Sequence, residues 1–260
     1  MEKKYKILVL ADLNKKEENT LKSCVSISKI VNAEISLLYI KKPTELVEKD
    51  HQLAVIRAIN KDYVSTDKKI KDLINPISDE YNVKINHTFT IGNLKTEIEN
   101  YIDQNKPDII VLGKRKSKLT NFIGDNMTQF VLKKHKGTVV ITDYNKALEP
   151  NKELSLGLFN TTFKGDEFLE KIIDSAQKPL TSFKVVESLT TSKNEQPLNN
   201  KTVEYAFKNG DNVLENISNY LSRTNINLLC VNRARSISDS TNISIKDIIN
   251  NLDCSLILTS

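Results

Sequence analysis

Long apolar runs are missing from this chain of 260 residues, and none approaches the roughly 20 residues of a membrane-spanning helix. The opening Met-Glu-Lys-Lys-Tyr leads straight into a strand and lacks the apolar stretch of a signal peptide. Cysteine is scarce: Cys24, Cys230 and Cys254 are odd in number and widely spaced, which excludes a disulfide framework and leaves a reducing cytoplasm as the expected compartment. Cys230 and Cys254 lie in apolar runs and read as small core residues, and Cys24 reads as core-facing on a helix. His51, His87 and His135 are isolated, with no carboxylate or cysteine at metal spacing, so no metal is expected. A Walker sequence, a nucleophile elbow and a paired-acid signature are all missing. Charge of one sign does not dominate, since 38 Lys and Arg face 33 Asp and Glu, and the net +5 does not by itself predict nucleic-acid binding.

What the chain does have is a segment that occurs twice. Ile-Glu-Asn-Tyr-Ile at 98–102 is followed by a polar stretch and then Pro107-Asp-Ile-Ile-Val-Leu-Gly113-Lys-Arg-Lys. Ile-Ser-Asn-Tyr-Leu at 217–221 is followed by a polar stretch and then Ile226-Asn-Leu-Leu-Cys-Val-Asn232-Arg-Ala-Arg. Both read as amphipathic helix, turn, buried strand and basic loop, at a constant offset of 119 that pairs Gly113 with Asn232 and Lys114 with Arg233. A repeat of this length is a domain duplication, because solenoid units are shorter.

The rest of the chain supports two copies. Lys6–Ala11 is an apolar run without alternation, the mark of a strand covered on both faces, and Asp12 ends it. Helical spacing over 17–31, a strand over 33–40, a helical region from Pro43-Thr44-Glu45 to about Tyr81 broken near Asn75-Pro76, and an alternating strand over 82–91 follow. A helix over 93–104, a strand over 108–112, a helix over 127–134 and a strand over 138–142 complete the first copy. The polar stretch 143–153, with Pro150, reads as a linker. The pattern then restarts, with Asn160 where Asp12 stood and twelve mostly polar residues, Leu189–Asn200, where the first copy has its long helical region. Strands alternating with helices predict parallel sheets with helices on both faces, and ligands bind beyond the carboxyl ends of strands where strand order reverses. Asp12 and Gly113 both sit at such ends. Two separate sheets are expected, and one continuous sheet, or unlike topologies on either side of Pro150, would overturn the duplication.

Taken in order, Lys6–Asp12, Glu34–Ile40, Pro107–Gly113 with its basic loop, Gly124-Asp-Asn, Val131-Leu132 and Thr138–Ile141 resemble the universal stress protein family over essentially the whole chain. The resemblance implies two tandem α/β domains, 1–145 and 152–260. Each is Rossmann-like (adenine nucleotide alpha hydrolase-like), with a five-stranded parallel sheet of order 3-2-1-4-5. Many members bind ATP through an acid ending strand one, a backbone contact near the end of strand two, and a loop of pattern G-x2-G-x9-G-[ST]. Carried over, Asp12 and Ile40 hold the adenosine, Gly113 gives the first turn, and Lys114, Lys116, Gly124, Asp125 and Asn126 belong to the phosphate loop. The loop departs from the pattern: Lys116 replaces the second Gly, Gly124 comes about two residues early, and Asp125 or Asn126 stands where Ser or Thr is expected. The second copy departs further, with Asn160, Asn232 and Arg235 at the corresponding positions.

Each residue also has a plain structural role open to it: Asp12 as a cap, Gly113 as a turn, the lysines and Thr120 and Asn121 as a solvated loop. The resemblance implies a non-enzymatic cytoplasmic stress-response protein whose copies pack as a pseudo-symmetric pair and whose first copy binds ATP or AMP weakly. A scaffold with both sites lost stands beside that reading. An ATP-pyrophosphatase needs a Ser/Gly-rich loop after strand one, where this chain has Asp12-Leu-Asn-Lys-Lys-Glu-Glu. Nucleic-acid binding rests only on the basic loops. Exposed sheet edges make a homodimer an expectation, with no membrane partner.

Overall fold

The computed structural model describes residues 4–13, 16–42, 52–114, 124–160, 166–176, 178–187, 202–210, 212–233 and 243–259, without side chains for 52–59 and 124–126. Strand β1 (Tyr5–Ala11) buries both faces, as its unbroken apolar run predicts. It is followed by α1 (Glu17–Val31), β2 (Ala33–Lys41), α2 (Gln52–Tyr81), β3 (Ile85–Ile91), α3 (Leu94–Asn105), β4 (Ile109–Gly113), α4 (Gly124–Lys134) and β5 (Thr138–Thr142). The second half runs β6 (Leu156–Phe159), α5 (Glu167–Asp174), β7 (Leu180–Val186), β8 (Thr202–Lys208), α6 (Val213–Arg223), β9 (Leu228–Asn232), α7 (Ile245–Asn251) and β10 (Ser255–Thr259). Pro76 lies inside α2, which continues through the expected break. The expected helix start at Pro43–Glu45 and the polar stretch Leu189–Asn200 lie outside the described residues.

All ten strands form one sheet of order β3-β2-β1-β4-β5-β10-β9-β6-β7-β8. The expectation of two separate sheets is corrected here, but the continuity has a simple source. Each half is a parallel sheet of order 3-2-1-4-5, and the halves meet where β5 and β10 pair antiparallel, Val140 opposite Ile257. The two halves are therefore alike in topology, and the seam joins their last strands.

Two cores flank the sheet. On one face Ile7, Val9, Leu37 and Val111 pack under Leu21 and Val25 of α1, Ile70 and Ile74 of α2, and Phe168 and Leu169 of α5. On the other, Leu8, Ile110 and Leu229 pack under Ile98 of α3, Val131 of α4, Ile217 of α6 and Ile248 of α7. Across the seam the Tyr5 and Phe168 rings meet edge to face at 6.0 Å. The connector after β5 is no loose tether: Leu148 is buried and its N–H donates to Ser23 Oγ at 2.9 Å.

The basic residues of the repeat lock the seam. The Arg233 guanidinium donates to the carbonyls of Leu132 (3.1 Å), His135 (3.2 Å), Lys136 (3.3 Å) and Gly137 (2.5 Å), satisfying the open carbonyls at the end of α4. Its repeat counterpart Lys114 donates to the carbonyl of Leu252, the C-cap of α7, at 2.5 Å. Each half thus caps a helix of the other.

His87 is not isolated, as its sequence surroundings suggested. It lies on the α2 side of β3 with Nε2 2.8 Å from Asp67 Oδ1, and Asp67 also pairs with Lys71 at 2.6 Å. Hydrogen bonds from Lys71 and His87 hold the Asp67 carboxyl below its ordinary pKa.

Candidate functional site: the crevice between β1 and β4

Strand order reverses between β1 and β4, which pair with Leu10 opposite Leu112. A crevice at this point is bounded by the residues that follow each strand. Asp12 follows β1 and is half-buried, and Gly113 ends β4. Leu13, directly after Asp12, has φ 53°, a left-handed conformation that costs a residue with a Cβ about 1–2 kcal/mol. Such strain concentrates at ligand sites.

Gly113 is needed for more than a turn. A Cβ there would stand 2.7 Å from Thr20 Oγ1, because α1 passes close to the end of β4. Thr142 at the end of β5 donates to the same Thr20 hydroxyl at 3.2 Å. Asn19 of α1 donates from Nδ2 to the Tyr144 carbonyl at 3.1 Å. The first turn of α1 is therefore anchored against the ends of β4 and β5.

Glu17 opens that turn. Its residue is 3% exposed, Oε2 accepts the Asp12 N–H at 3.2 Å, and Oε1 has no hydrogen-bond partner among the described residues. Burial pushes its pKa up to about 8, so the carboxyl holds its proton at neutral pH. Nothing in the sequence marks this residue for burial, because two acids in a helix first turn ordinarily lie in solvent beside the positive end of the helix dipole. Only the crowding of α1 against the strand ends puts Glu17 inside.

The remaining expected site residues divide. Ile40 lies in β2 opposite Thr90, with its side chain in the α3/α4 core. The Lys114 N–H donates to the Thr142 carbonyl at 2.9 Å, and its ammonium is turned to Leu252 across the seam. Gly124, Asp125 and Asn126 form the first turn of α4, a helix that begins three residues earlier than its apolar spacing indicated. Lys116, Thr120, Asn121 and Arg235 lie outside the described residues. Among the described residues no group of three or more His, Cys, Asp or Glu side chains could hold a metal ion.

The matching place in the second half is built differently. Asn160, at φ 44°, accepts the Val185 N–H on Oδ1 at 2.7 Å and donates its own N–H to Phe183 at 2.8 Å, tying the end of β6 to β7. Arg233 fills the corresponding β9 loop position with its seam contacts.

The sequence profile of the universal stress protein family matches residues 5–143. None of the curated proteins matches the chain. Among solved structures, a universal stress protein from Archaeoglobus fulgidus DSM 4304 is similar at TM-score 0.70 and 16% identity, over 98% of this chain and 96% of that one. A protein from Pseudomonas aeruginosa PAO1 described as functionally unknown is similar at TM-score 0.61 and 10% identity, over 99% and 93%. A family protein from Arabidopsis thaliana with AMP bound has TM-score 0.37 and 14% identity, over 53% of this chain and 90% of that one. At these identities the first two likenesses are ones of fold.

Proposed function

The chain belongs to the universal stress protein family, and on that premise we propose that it is a non-enzymatic stress-response protein of two tandem domains, 1–145 and 152–260. The first domain takes an adenine nucleotide, ATP or AMP, in the crevice between β1 and β4. Asp12 and the Ile40 backbone receive the adenosine, Gly113 admits the phosphates, and Lys116 with the first turn of α4 (Gly124, Asp125, Asn126) borders them. The observation that carries this reading is the glycine at the end of β4 beside a strained Asp12–Leu13 turn, at the point where strand order reverses. The first turn of α4 adds a helix N-terminus suited to an anion. The three cysteines are free and buried, which supports a reducing, cytoplasmic location. Association of two chains through the outer edges of the sheet, β3 and β8, belongs to the same reading.

A second reading is a nucleotide-free scaffold. It is favoured by Lys114, whose ammonium caps α7 and is turned away from any phosphate. The two readings separate by thermal shift. Millimolar ATP is expected to raise the melting temperature of the wild type by a few degrees, and not that of Asp12→Ala. Gly113→Val abolishes the shift as well, with a lower starting stability because its side chain meets Thr20. Nucleotide found by mass spectrometry on freshly purified protein supports the first reading. No shift with either ATP or AMP leaves the scaffold.

A further inference from the structure

Glu17 is a buried acid, and it sits directly under the crevice at the Asp12 main chain. Its Oε2 holds the Asp12 main chain at 3.2 Å, so the carboxyl lies next to the residue assigned to the adenosine. Its other oxygen is buried and has no partner among the described residues. Whatever charge this group carries is therefore felt in the crevice with little screening by water. Resting on the adenine-nucleotide reading, we propose that Glu17 gates the crevice by its charge: a nucleotide enters while the carboxyl is neutral and is expelled when it ionises.

Among the described residues the surrounding charges do not offset an ionised Glu17. On α1, Lys22 pairs with Glu18 at 2.8 Å and Lys16 lies over the Tyr144 ring, 5.5 Å from its centre. From β1 comes Asp12, an acid. From β4 comes Lys114, whose ammonium bonds Leu252. After β5 comes Asp143, whose Oδ1 accepts from the N–H groups of Asn145 and Lys146. Of the other elements packed on α1, β2 and α2 share the Lys41–Asp62 pair at 2.6 Å, and α5 carries the Lys171–Glu167 pair at 3.6 Å. Burial is what raises the Glu17 pKa, and among the described residues no cation contributes. Once ionised, the group adds a second acid beside Asp12, facing a ligand that is itself an anion.

The test is calorimetric titration of the full chain with ATP at pH 7 and pH 9, with Glu17→Gln as the control for the ligand's own loss of its last phosphate proton near pH 7. A gate that titrates near 8 leaves the competent fraction about tenfold smaller at pH 9, so the wild-type Kd is expected to rise about tenfold. Glu17→Gln, which mimics the neutral acid, is expected to keep its Kd within about twofold across the same interval. Wild type and variant sharing one pH profile overturns the gate while leaving the nucleotide site standing. No ATP binding by either protein at pH 7 overturns the site and the gate together. A measurement on the wild type alone guards against a variant that folds poorly. At pH 8, ATP binding is expected to take up about half a proton, read from heats in two buffers of different ionisation enthalpy. Zero uptake overturns the gate.

Discussion

At the scale of single residues, Glu17 also bears on stability. Its folded pKa of about 8 lies above the ordinary 4.5, so between these values the folded state holds a proton that the unfolded state has lost. Stability therefore falls as pH rises through that window, with a slope approaching about 1.4 kcal/mol per unit. Glu17→Gln is expected to melt progressively higher than the wild type from pH 5 to pH 8, and the two to converge near pH 4; a gap that does not vary with pH contradicts the burial of this carboxyl. Arg233 makes the opposite case, a charge whose hydrogen bonds are all put to structural use. Arg233→Ala leaves carbonyls at the end of α4 without their charged donor and is expected to cost about 3 kcal/mol in urea unfolding. A loss under about 0.5 kcal/mol, the size of an ordinary surface change, would deny the seam its lock.

At the scale of elements, α2 is held to the edge strand β3 by charge as well as by its apolar face. The Asp67 carboxyl, kept below its ordinary pKa by Lys71 and His87, contributes stability above the unfolded carboxylate range and loses it as pH falls. Asp67→Asn is expected to lower the melting temperature at pH 7 and to match the wild type near pH 3; an equal deficit at both points to lost packing instead. Element types were legible in the sequence because each run has a single period, whereas the strand order followed from the family resemblance. Lys6–Ala11 has no alternation and is buried on both faces, whereas Val83–Ile91 alternates and lies at an edge. Asn93 was readable as a helix start, and its side chain accepts from the Lys95 and Thr96 N–H groups. Pro76 was misleading, since a proline removes one N–H but does not end a helix held by Ile70, Ile74 and Ile77 on the core. The pairing of β5 with β10 has a signal in the sequence. Thr-Val-Val-Ile-Thr and Ser-Leu-Ile-Leu-Thr carry no charge or proline, and an edge strand without either invites a partner. β8, a true edge, carries Glu204 and Lys208. In the crevice, Asp12 and Gly113 were found from their positions at strand ends. Glu17 and the seam role of Lys114 were not, because both depend on which chain segments lie across from them.

At the scale of the whole molecule, the seam predicts what separated halves would do. Residues 1–145 produced alone expose β5, with Val139, Val140 and Ile141 no longer covered by β10. They are expected to sediment as a dimer or to precipitate, and a soluble monomer would show that the seam is dispensable. The full chain satisfies those two strands internally, and its outer edges are β3 and β8.

That closure has a consequence for divergence. In a dimer of identical chains, any substitution at the two-fold contact appears twice and must suit itself. Once both partners reside in one polypeptide, each side of the contact is free to change alone. Lys114 and Arg233 record that freedom: one position keeps a compact ammonium on the Leu252 carbonyl, the other a broad guanidinium spread over five. The same release lets Asn160 tie the end of β6 to β7 while the end of β1 is held differently, through the Asp12 N–H on Glu17.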